Sequence, residues 1–167
     1  PVGKVVTLYP PVDTNQFSMG ARSGREALRQ QIGVAPDQML LLFPSHNHEL
    51  KGGDLILEAL ESLGSRIRLV VAGKAPLDHP GVINLGFRRD MPALYAAADA
   101  AILASKYEAF GLVGPEAILC GTPVLLANTV GAVEVLSESA CLRFDRTVDS
   151  LRAALKKTLE RFDAGQL

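Results

Sequence analysis

Two glutamates, Glu108 and Glu116, have seven residues between them in a stretch that runs from Ser105 to Ala117. The apolar run 100–104 before it is short enough for a buried strand, and the segment after it, which ends at Cys120-Gly121, is predicted to be a helix. The two acids therefore flank a strand-to-helix turn, with Glu108 in the loop and Glu116 in the first helical turn. An acid in that turn interacts favourably with the positive end of the helix dipole.

The segment between the two acids is suited to an anion. Gly111 and Gly114 let the backbone approach a ligand closely, and the start of a helix offers N–H groups that suit a phosphate. An anion flanked by two carboxylates that accept hydroxyl hydrogen bonds matches the chemistry of a sugar nucleotide. A second interpretation stays open here, because glycine-containing turns are common in α/β proteins and an acid in the first turn often only partners the dipole.

A lysine, Lys51, lies in a second loop with the features of a binding site. The loop 44–53 follows the continuous apolar run 38–43 and precedes a helical pattern of apolar residues at 55–63. Ligands of doubly wound sheets bind at the carboxyl ends of strands, where such loops lie. Lys51 could neutralise a diphosphate there, or it could be an ordinary solvated lysine.

Strands and helices are predicted to alternate along the whole chain. Buried strands are expected at 38–43, 66–74, 82–87, 100–104, 122–127 and 141–144. Helices are expected at 23–32, 55–63, 90–98, 115–120, 131–136 and 148–162. This alternation predicts an α/β fold with a doubly wound, Rossmann-like parallel sheet in a single domain over residues 1–167.

Composition narrows the classes of partner. The chain has 167 residues, and 17 Lys and Arg balance 18 Asp and Glu, which gives no general attraction to nucleic acid. No apolar run approaches the length of a membrane span and no signal peptide is visible. Cys120 and Cys141 form no metal motif and are expected to be core thiols of a cytoplasmic protein, although one disulfide is left open.

The sequence EAFGLVGPEAILCGTPV, with its E-x7-E spacing, resembles the donor-binding region of retaining glycosyltransferases with the GT-B fold, in family 4 (glycosyl transferases group 1). The resemblance covers nearly the whole chain and implies the C-terminal half of a GT-B fold. Residues 1–20 resemble the linker side of that half. The chain begins at Pro1 without a methionine, and we expect a fragment whose N-terminal acceptor domain is absent.

The resemblance implies roles for both glutamates and for the loop between them. Glu116 corresponds to the residue that binds the ribose hydroxyls, and Glu108 to the residue that contacts the transferred sugar. Backbone N–H groups are expected to face the sugar and the diphosphate at four positions: Phe110, Gly111, Leu112 and Val113.

The family supplies two cations to the diphosphate from an R-x4-K-G pattern. Lys51-Gly52 matches this pattern, but His46 stands where the family has arginine. His46 could still donate a hydrogen bond, although it lacks the fixed bidentate geometry of arginine. His48 is expected to be an exposed loop residue.

Two further regions resemble family elements less specifically. The loop at Phe87 and Arg88 is where the family holds the base, largely through backbone atoms; these residues could equally be plain core and plain surface. The segment from Gly131 to Glu134 resembles a GG-x-x-E region with Ala132 at the second glycine, and Glu134 is expected to be structural.

The implied activity is transfer of a sugar, of hexosyl type, from a UDP or GDP sugar to an acceptor hydroxyl with retention of configuration. Lys51 and Glu108 are the expected catalytic residues. No metal and no cofactor are expected, since the nucleotide sugar is the substrate. The isolated domain is expected to bind the donor and to be inactive alone, and membrane contact through the absent domain is left open.

Three alternative functions remain at this stage: a GT-B sugar-nucleotide epimerase, a phosphorylase, and an inactive nucleotide-binding module. The replacement at His46 favours the inactive module. The presence of Lys51, Glu108 and Glu116 argues against it.

Overall fold

The computed structural model describes residues 3–167 and contains, within them, a sheet of six parallel strands in the order β3-β2-β1-β4-β5-β6. The strands are β1 Met39–Pro44, β2 Ile67–Ala72, β3 Val82–Asn84, β4 Ala100–Leu103, β5 Val124–Ala127 and β6 Cys141–Phe144. This is the strand order of the doubly wound dinucleotide-binding folds, so the predicted fold class is confirmed.

The continuous apolar runs form strands that are buried on both faces. Residues 39–43 of β1 are all buried, and β4 and β5 are buried along their whole length. Helices cover both faces, as parallel sheets require. They are α1 Arg25–Gln31, α2 His48–Lys51, α3 Gly53–Leu60, α4 Met91–Ala97, α5 Val113–Leu119 and α6 Val148–Asp163.

The helices pack in two groups. α3 packs against α6, while α4 packs against α1 and α5. Right-handed crossovers place the two groups on opposite faces of the sheet, because the chain moves from β1 to β2 in one direction and from β3 to β4 in the other.

A buried ion cluster fixes the end of α4. The carboxylate of Asp99 accepts hydrogen bonds from Arg25, from Arg29 (2.7 Å) and from the backbone N–H of Leu40 (2.6 Å). Arg25 also donates to the last carbonyls of α4, including that of Ala98 at 2.7 Å. Positive charge at the C-terminus of a helix is stabilising, so this cluster ties α4 to β1.

Several predicted element boundaries are wrong. The expected helix at 131–136 is a single 3₁₀ turn, Gly131–Glu134, and β3 is shorter than expected. The helical pattern at 55–63 forms α3 only as far as Leu60, and a 3₁₀ segment, Glu61–Arg66, follows with a non-helical Gly64. The predicted loop 44–53 contains the short helix α2. Gly52, in the left-handed conformation (φ +79°), ends α2 and separates it from α3.

Candidate functional site

The strand order reverses between β1 and β4, and the candidate site lies at this point. The loop after β1 carries His46 and Lys51, and the loop after β4 carries Glu108 and leads to Glu116 in α5. Parallel strands open a crevice at their carboxyl ends where the order reverses. Residues that are far apart in the sequence therefore meet at this edge.

Close contact between the two loops places Lys51. Asn47 caps α2 by accepting a hydrogen bond from the Leu50 N–H at 3.0 Å, and Lys51 is the last residue of that helix. A Cβ at Gly52 would lie 2.3 Å from the carbonyl oxygen of Ala104, just beyond β4. The glycine of the Lys-Gly pair is thus required by the approach of the β4 loop as well as by its positive φ.

The two histidines of this loop have different environments. His46 is exposed, and its ring lies 6.2 Å from the ring of Phe87, which is also exposed. His48 is half-buried, and its ring nitrogens bond to Ser45 Oγ (2.9 Å) and to the carbonyl of Ala75 (2.8 Å). The prediction that His48 is an exposed loop residue is wrong, because it joins its own loop to the segment after β2.

Strand-like hydrogen bonds hold the β4 loop against the segment after β5. The Gly131 N–H donates to the Glu108 carbonyl at 3.0 Å, and the Ala132 N–H donates to the Phe110 carbonyl at 2.7 Å. A Cβ at Gly131 would lie 2.1 Å from the Ala109 carbonyl oxygen. Gly131 therefore serves close packing, and Glu134, whose carboxylate accepts a hydrogen bond from Tyr9 at 3.3 Å, lies on the surface.

The two glycines between the glutamates both lie against other parts of the protein. Gly111 has φ +89°, and a Cβ there would lie 2.7 Å from Val130 Cγ1. Gly114 is buried, and its Cβ would lie 3.0 Å from Leu136 Cδ1. The absence of a side chain therefore permits close packing at both positions, and the role of these glycines in the approach of a ligand stays a prediction.

Backbone N–H groups of the turn between the two glutamates have no hydrogen-bond partner in the described part of the chain. Within residues 3–167, the amides of Phe110, Gly111, Leu112 and Val113 donate to no carbonyl or side chain of the protein. Leu112 is the N-cap residue of α5, so the amides of Leu112 and Val113 belong to the start of that helix, where backbone N–H groups have no partner within the helix. The arrangement can donate hydrogen bonds to an anion.

The lysine and the first glutamate of the predicted site contact each other. Lys51 Nζ and a carboxylate oxygen of Glu108 form an ion pair whose side chains are 24% and 20% exposed. Lys106, two positions before Glu108 in the sequence, takes no part in this pair. Lys106 instead pairs with Glu49 at 3.0 Å, and the partner of Glu108 is Lys51.

The second glutamate is held by a tyrosine that the sequence did not single out. Tyr95 Oη donates to Glu116 Oε2 at 3.0 Å, and the tyrosine is only 1% exposed. Burial raises the pKa of Glu116, and the hydrogen bond from Tyr95 partly offsets that rise. Burial and the nearby carboxylate raise the pKa of Tyr95, so its hydroxyl remains a donor. The sequence pattern places Tyr95 within the expected helix 90–98 and gives no sign of a role in the site.

These residues surround a cleft of about 240 Å³. Of the predicted binding residues, five line it: His46, Lys51, Arg88, Val113 and Glu116. The lining also includes Tyr95, Met91, Pro44, Ala72 and Gly73.

The remaining predicted binding residues lie outside the lining of this cleft: Phe87, Glu108, Phe110, Gly111 and Leu112. Glu108 is joined to the cleft through its ion pair with Lys51, and the Phe110 ring packs 5.5 Å from that of Tyr9. Arg88 lines the cleft while its guanidinium binds the Asp90 carboxylate, with Nε at 2.7 Å. Asp90 is the N-cap residue of α4, but its side chain makes no capping hydrogen bond.

Two structural findings concern metals and membranes. Among residues 3–167, no three His, Cys, Asp or Glu side chains are grouped so that they could hold a metal ion. None of the helices in the same range has the length and apolar character that crossing a bilayer demands.

A second cavity, of about 360 Å³, is larger than the cleft of the candidate site. It lies between α3 and the first residues of β2 and β3, and its lining includes none of the predicted site residues.

Comparison with known proteins identifies similar chains. Residues 24–162 match the family described as glycosyl transferases group 1. A probable transglycosylase of Burkholderia thailandensis is 41% identical over 164 residues, which cover 97% of this chain and 45% of that protein. A D-inositol 3-phosphate glycosyltransferase of Xylanimonas cellulosilytica is 36% identical over 153 residues, 77% of this chain and 36% of that protein.

A solved structure has the same architecture. HepE of Anabaena, in complex with UDP and glucose, is 27% identical and superposes with a TM-score of 0.79 over 93% of this chain and 47% of that one. The present chain thus spans less than half the length of the relatives that it matches.

Proposed function

This chain belongs to the glycosyl transferases group 1 family, and we propose that it is the donor-binding domain of a retaining glycosyltransferase. The reaction would move a hexosyl group from a nucleotide diphosphate to an acceptor hydroxyl. The observation that carries this proposal is the cleft at the reversal of strand order, where Lys51 and Glu116 line one space beside open backbone amides.

The proposed binding mode follows the charges around the cleft. A diphosphate lies against the ammonium of Lys51 and the amides of Leu112 and Val113. The ribose hydroxyls donate to the carboxylate of Glu116, whose other partner is Tyr95. Glu108 accepts hydrogen bonds from the sugar once the diphosphate has displaced it from Lys51.

The proposed chemistry needs stabilisation of a leaving group. The bond between the anomeric carbon and the diphosphate oxygen breaks, the acceptor oxygen bonds the same face of that carbon, and the acceptor proton passes to a phosphate oxygen. Negative charge grows on the diphosphate, next to Lys51 and the open amides. One donor oriented in advance towards such charge contributes about 10²–10³ in rate.

Donor and compartment are part of the proposal. HepE, of which this chain covers 47%, was solved with UDP and glucose. A UDP-hexose is therefore our first choice of donor. Cys120 and Cys141 are buried free thiols, which supports a cytoplasmic location. We also propose that the 167-residue chain binds donor without transferring sugar, since the relatives are more than twice as long.

Ligand-induced shifts in melting temperature test the diphosphate contact. We expect UDP to raise the melting temperature more than UMP does, because the second phosphate reaches Lys51. Lys51→Met should remove the difference between UDP and UMP. GDP and ADP, run in parallel, identify the base.

Lys106→Met is the matched control, because Lys106 is an exposed lysine of the neighbouring loop that pairs with Glu49. It should leave the UDP shift intact. The proposal fails if no nucleotide stabilises the chain, or if Lys51→Met preserves the preference for UDP over UMP.

A further inference from the structure

Tyr95 occupies an unusual position for a core aromatic residue. Its ring packs 6.1 Å from that of Phe17, and the residue is 1% exposed, yet its hydroxyl reaches the cleft and donates to Glu116 at 3.0 Å. The two residues come from different helices, 21 positions apart in the sequence. A buried hydroxyl needs a partner, and here the partner is a carboxylate that lines the cleft.

The backbone of Tyr95 is held as firmly as its ring. Thr122 Oγ1 donates to the Tyr95 carbonyl at 2.6 Å, and Thr122 is itself buried just beyond the end of α5. On the other side, Arg25 donates to the carbonyls of Ala96 and Ala97, each at 3.0 Å. Thr122 thus ties the backbone of Tyr95 to the segment that follows the helix of Glu116, while Arg25 ties the end of α4 to α1.

Glu116 is less constrained without this contact. It is a half-buried residue in the first turn of a seven-residue helix, and a glutamate side chain has several rotamers. The hydrogen bond to Oε2 selects one of them and leaves Oε1 and a lone pair of Oε2 for a ligand. A ligand that binds a carboxylate already held in place does not have to order it.

We infer that Tyr95 is a positioning residue that holds the Glu116 carboxylate in the orientation that receives the ribose hydroxyls of the nucleotide. This inference rests on the proposed function, in which Glu116 is the ribose ligand. Tyr95 does not touch the nucleotide in this arrangement; it acts through the glutamate.

The test compares UDP with 2′,3′-dideoxy-UDP, which lacks both ribose hydroxyls, by titration calorimetry. Tyr95→Phe keeps the ring in the core and removes only the hydroxyl. We expect UDP to bind about threefold to tenfold more weakly, the range that corresponds to ordering one flexible side chain. The affinity for 2′,3′-dideoxy-UDP should be unchanged, so the ratio of the two affinities falls.

Two further variants complete the design. Glu116→Gln should reduce the same ratio more strongly, and adding Tyr95→Phe to it should cause no further loss, because residues that act through one contact are not additive. Tyr107→Phe is the matched control: Tyr107 is 71% exposed, and its loss of a hydroxyl should leave both affinities unchanged.

A purely structural role predicts a different result. In that case Tyr95→Phe lowers the melting temperature, while the ratio of UDP to 2′,3′-dideoxy-UDP affinity stays at the unsubstituted value. If Glu116→Gln reduces the ratio and Tyr95→Phe does not, the positioning inference is overturned and the proposed function stands. If Glu116→Gln itself leaves the ratio unchanged, the ribose contact of the proposed function is wrong, and the inference falls with it.

Discussion

The ion pair between Lys51 and Glu108 makes an unusual prediction about a binding residue. If Lys51 holds the diphosphate, a ligand must first separate it from Glu108. Neutralising the glutamate with Glu108→Gln removes that competition. We therefore expect Glu108→Gln to strengthen the binding of UDP, although Glu108 is a predicted binding residue. UDP lacks the transferred sugar that Glu108 would contact.

The size of the effect follows from the exposure of the pair. Two charges about 4 Å apart attract by about 4 kcal/mol at an effective dielectric constant of 20, but desolvation and side-chain entropy reduce exposed pairs to about 0.2–1 kcal/mol. The Lys51 and Glu108 side chains are 24% and 20% exposed, so we use the upper end of that range, about 1 kcal/mol. This corresponds to UDP binding about fivefold tighter.

UDP-glucose is expected to respond differently. Its sugar contacts Glu108 in the proposed mode, so Glu108→Gln removes that contact while freeing Lys51, and the preference for UDP-glucose over UDP should decrease. Titration calorimetry with both ligands measures the two effects. Glu49→Gln is the matched control, because it removes the same charge from the exposed pair with Lys106 and should change either affinity by less than about twofold.

Two results would refute this reasoning. If Glu108→Gln weakens UDP and UDP-glucose equally, Glu108 supports the fold of the loop and does not compete for Lys51. If Glu49→Gln tightens UDP as much as Glu108→Gln does, the gain reflects overall charge and not the release of Lys51.

The remaining predictions concern three other positions. Glu116→Gln should weaken the binding of UDP, measured by calorimetry, by about 1.5–3 kcal/mol, the contribution of a hydrogen bond to a charged group. The melting temperature should not fall, because a neutral amide has no charge to desolvate on burial, which is the cost that raises the pKa of this carboxyl. A large loss of stability with unchanged binding would contradict this prediction. The raised pKa of Glu116 favours the protonated acid in the folded protein, so the contribution of this group to stability is present at low pH and is lost as the pH rises through the folded pKa. The affinity for UDP should instead fall as the pH is lowered through that pKa, because the protonated acid is a weaker acceptor. The part of this pH dependence that is due to Glu116 should disappear in Glu116→Gln. Gly52→Ala should lower the free energy of unfolding in urea by more than Gly33→Ala does. Both glycines have a positive φ, which costs an alanine about 1–2 kcal/mol, but only at Gly52 would the new Cβ lie 2.3 Å from the Ala104 carbonyl oxygen, whereas nothing lies within 4 Å at Gly33. Equal losses would show that the two loops can move apart. His46→Arg should tighten UDP several-fold by adding a fixed charge and a bidentate donor at the cleft, and an unchanged dissociation constant would place that side chain away from the diphosphate.

The sequence alone was sufficient to predict the fold class. Runs such as 38–43 and 122–127 are too apolar for exposure and too short for core helices, and helical patterns between them require crossovers. The resulting parallel sheet is confirmed by the strand order and by the similarity to HepE. Element ends were less accurate, as at Gly131–Glu134, because short-range patterns do not reveal where packing stops a helix.

The family membership was likewise evident from the residues around Glu108 and Glu116, and it is confirmed by the match over 24–162. The roles assigned to individual site residues remain predictions. The arrangement of strands supports the grouping of these residues at one site, because the loops that follow β1 and β4 must meet where the strand order reverses.

Only the tertiary structure decided which side chains contact one another. Lys51 and Glu108 are 57 positions apart, and Tyr95 and Glu116 belong to separate helices. Such pairs depend on strand order, register and the tilt of helices over the sheet, none of which is encoded by local periodicity. A pattern of apolar residues places Tyr95 on the inner side of a helix, but only the packing of α4 against α5 brings its hydroxyl to a carboxylate.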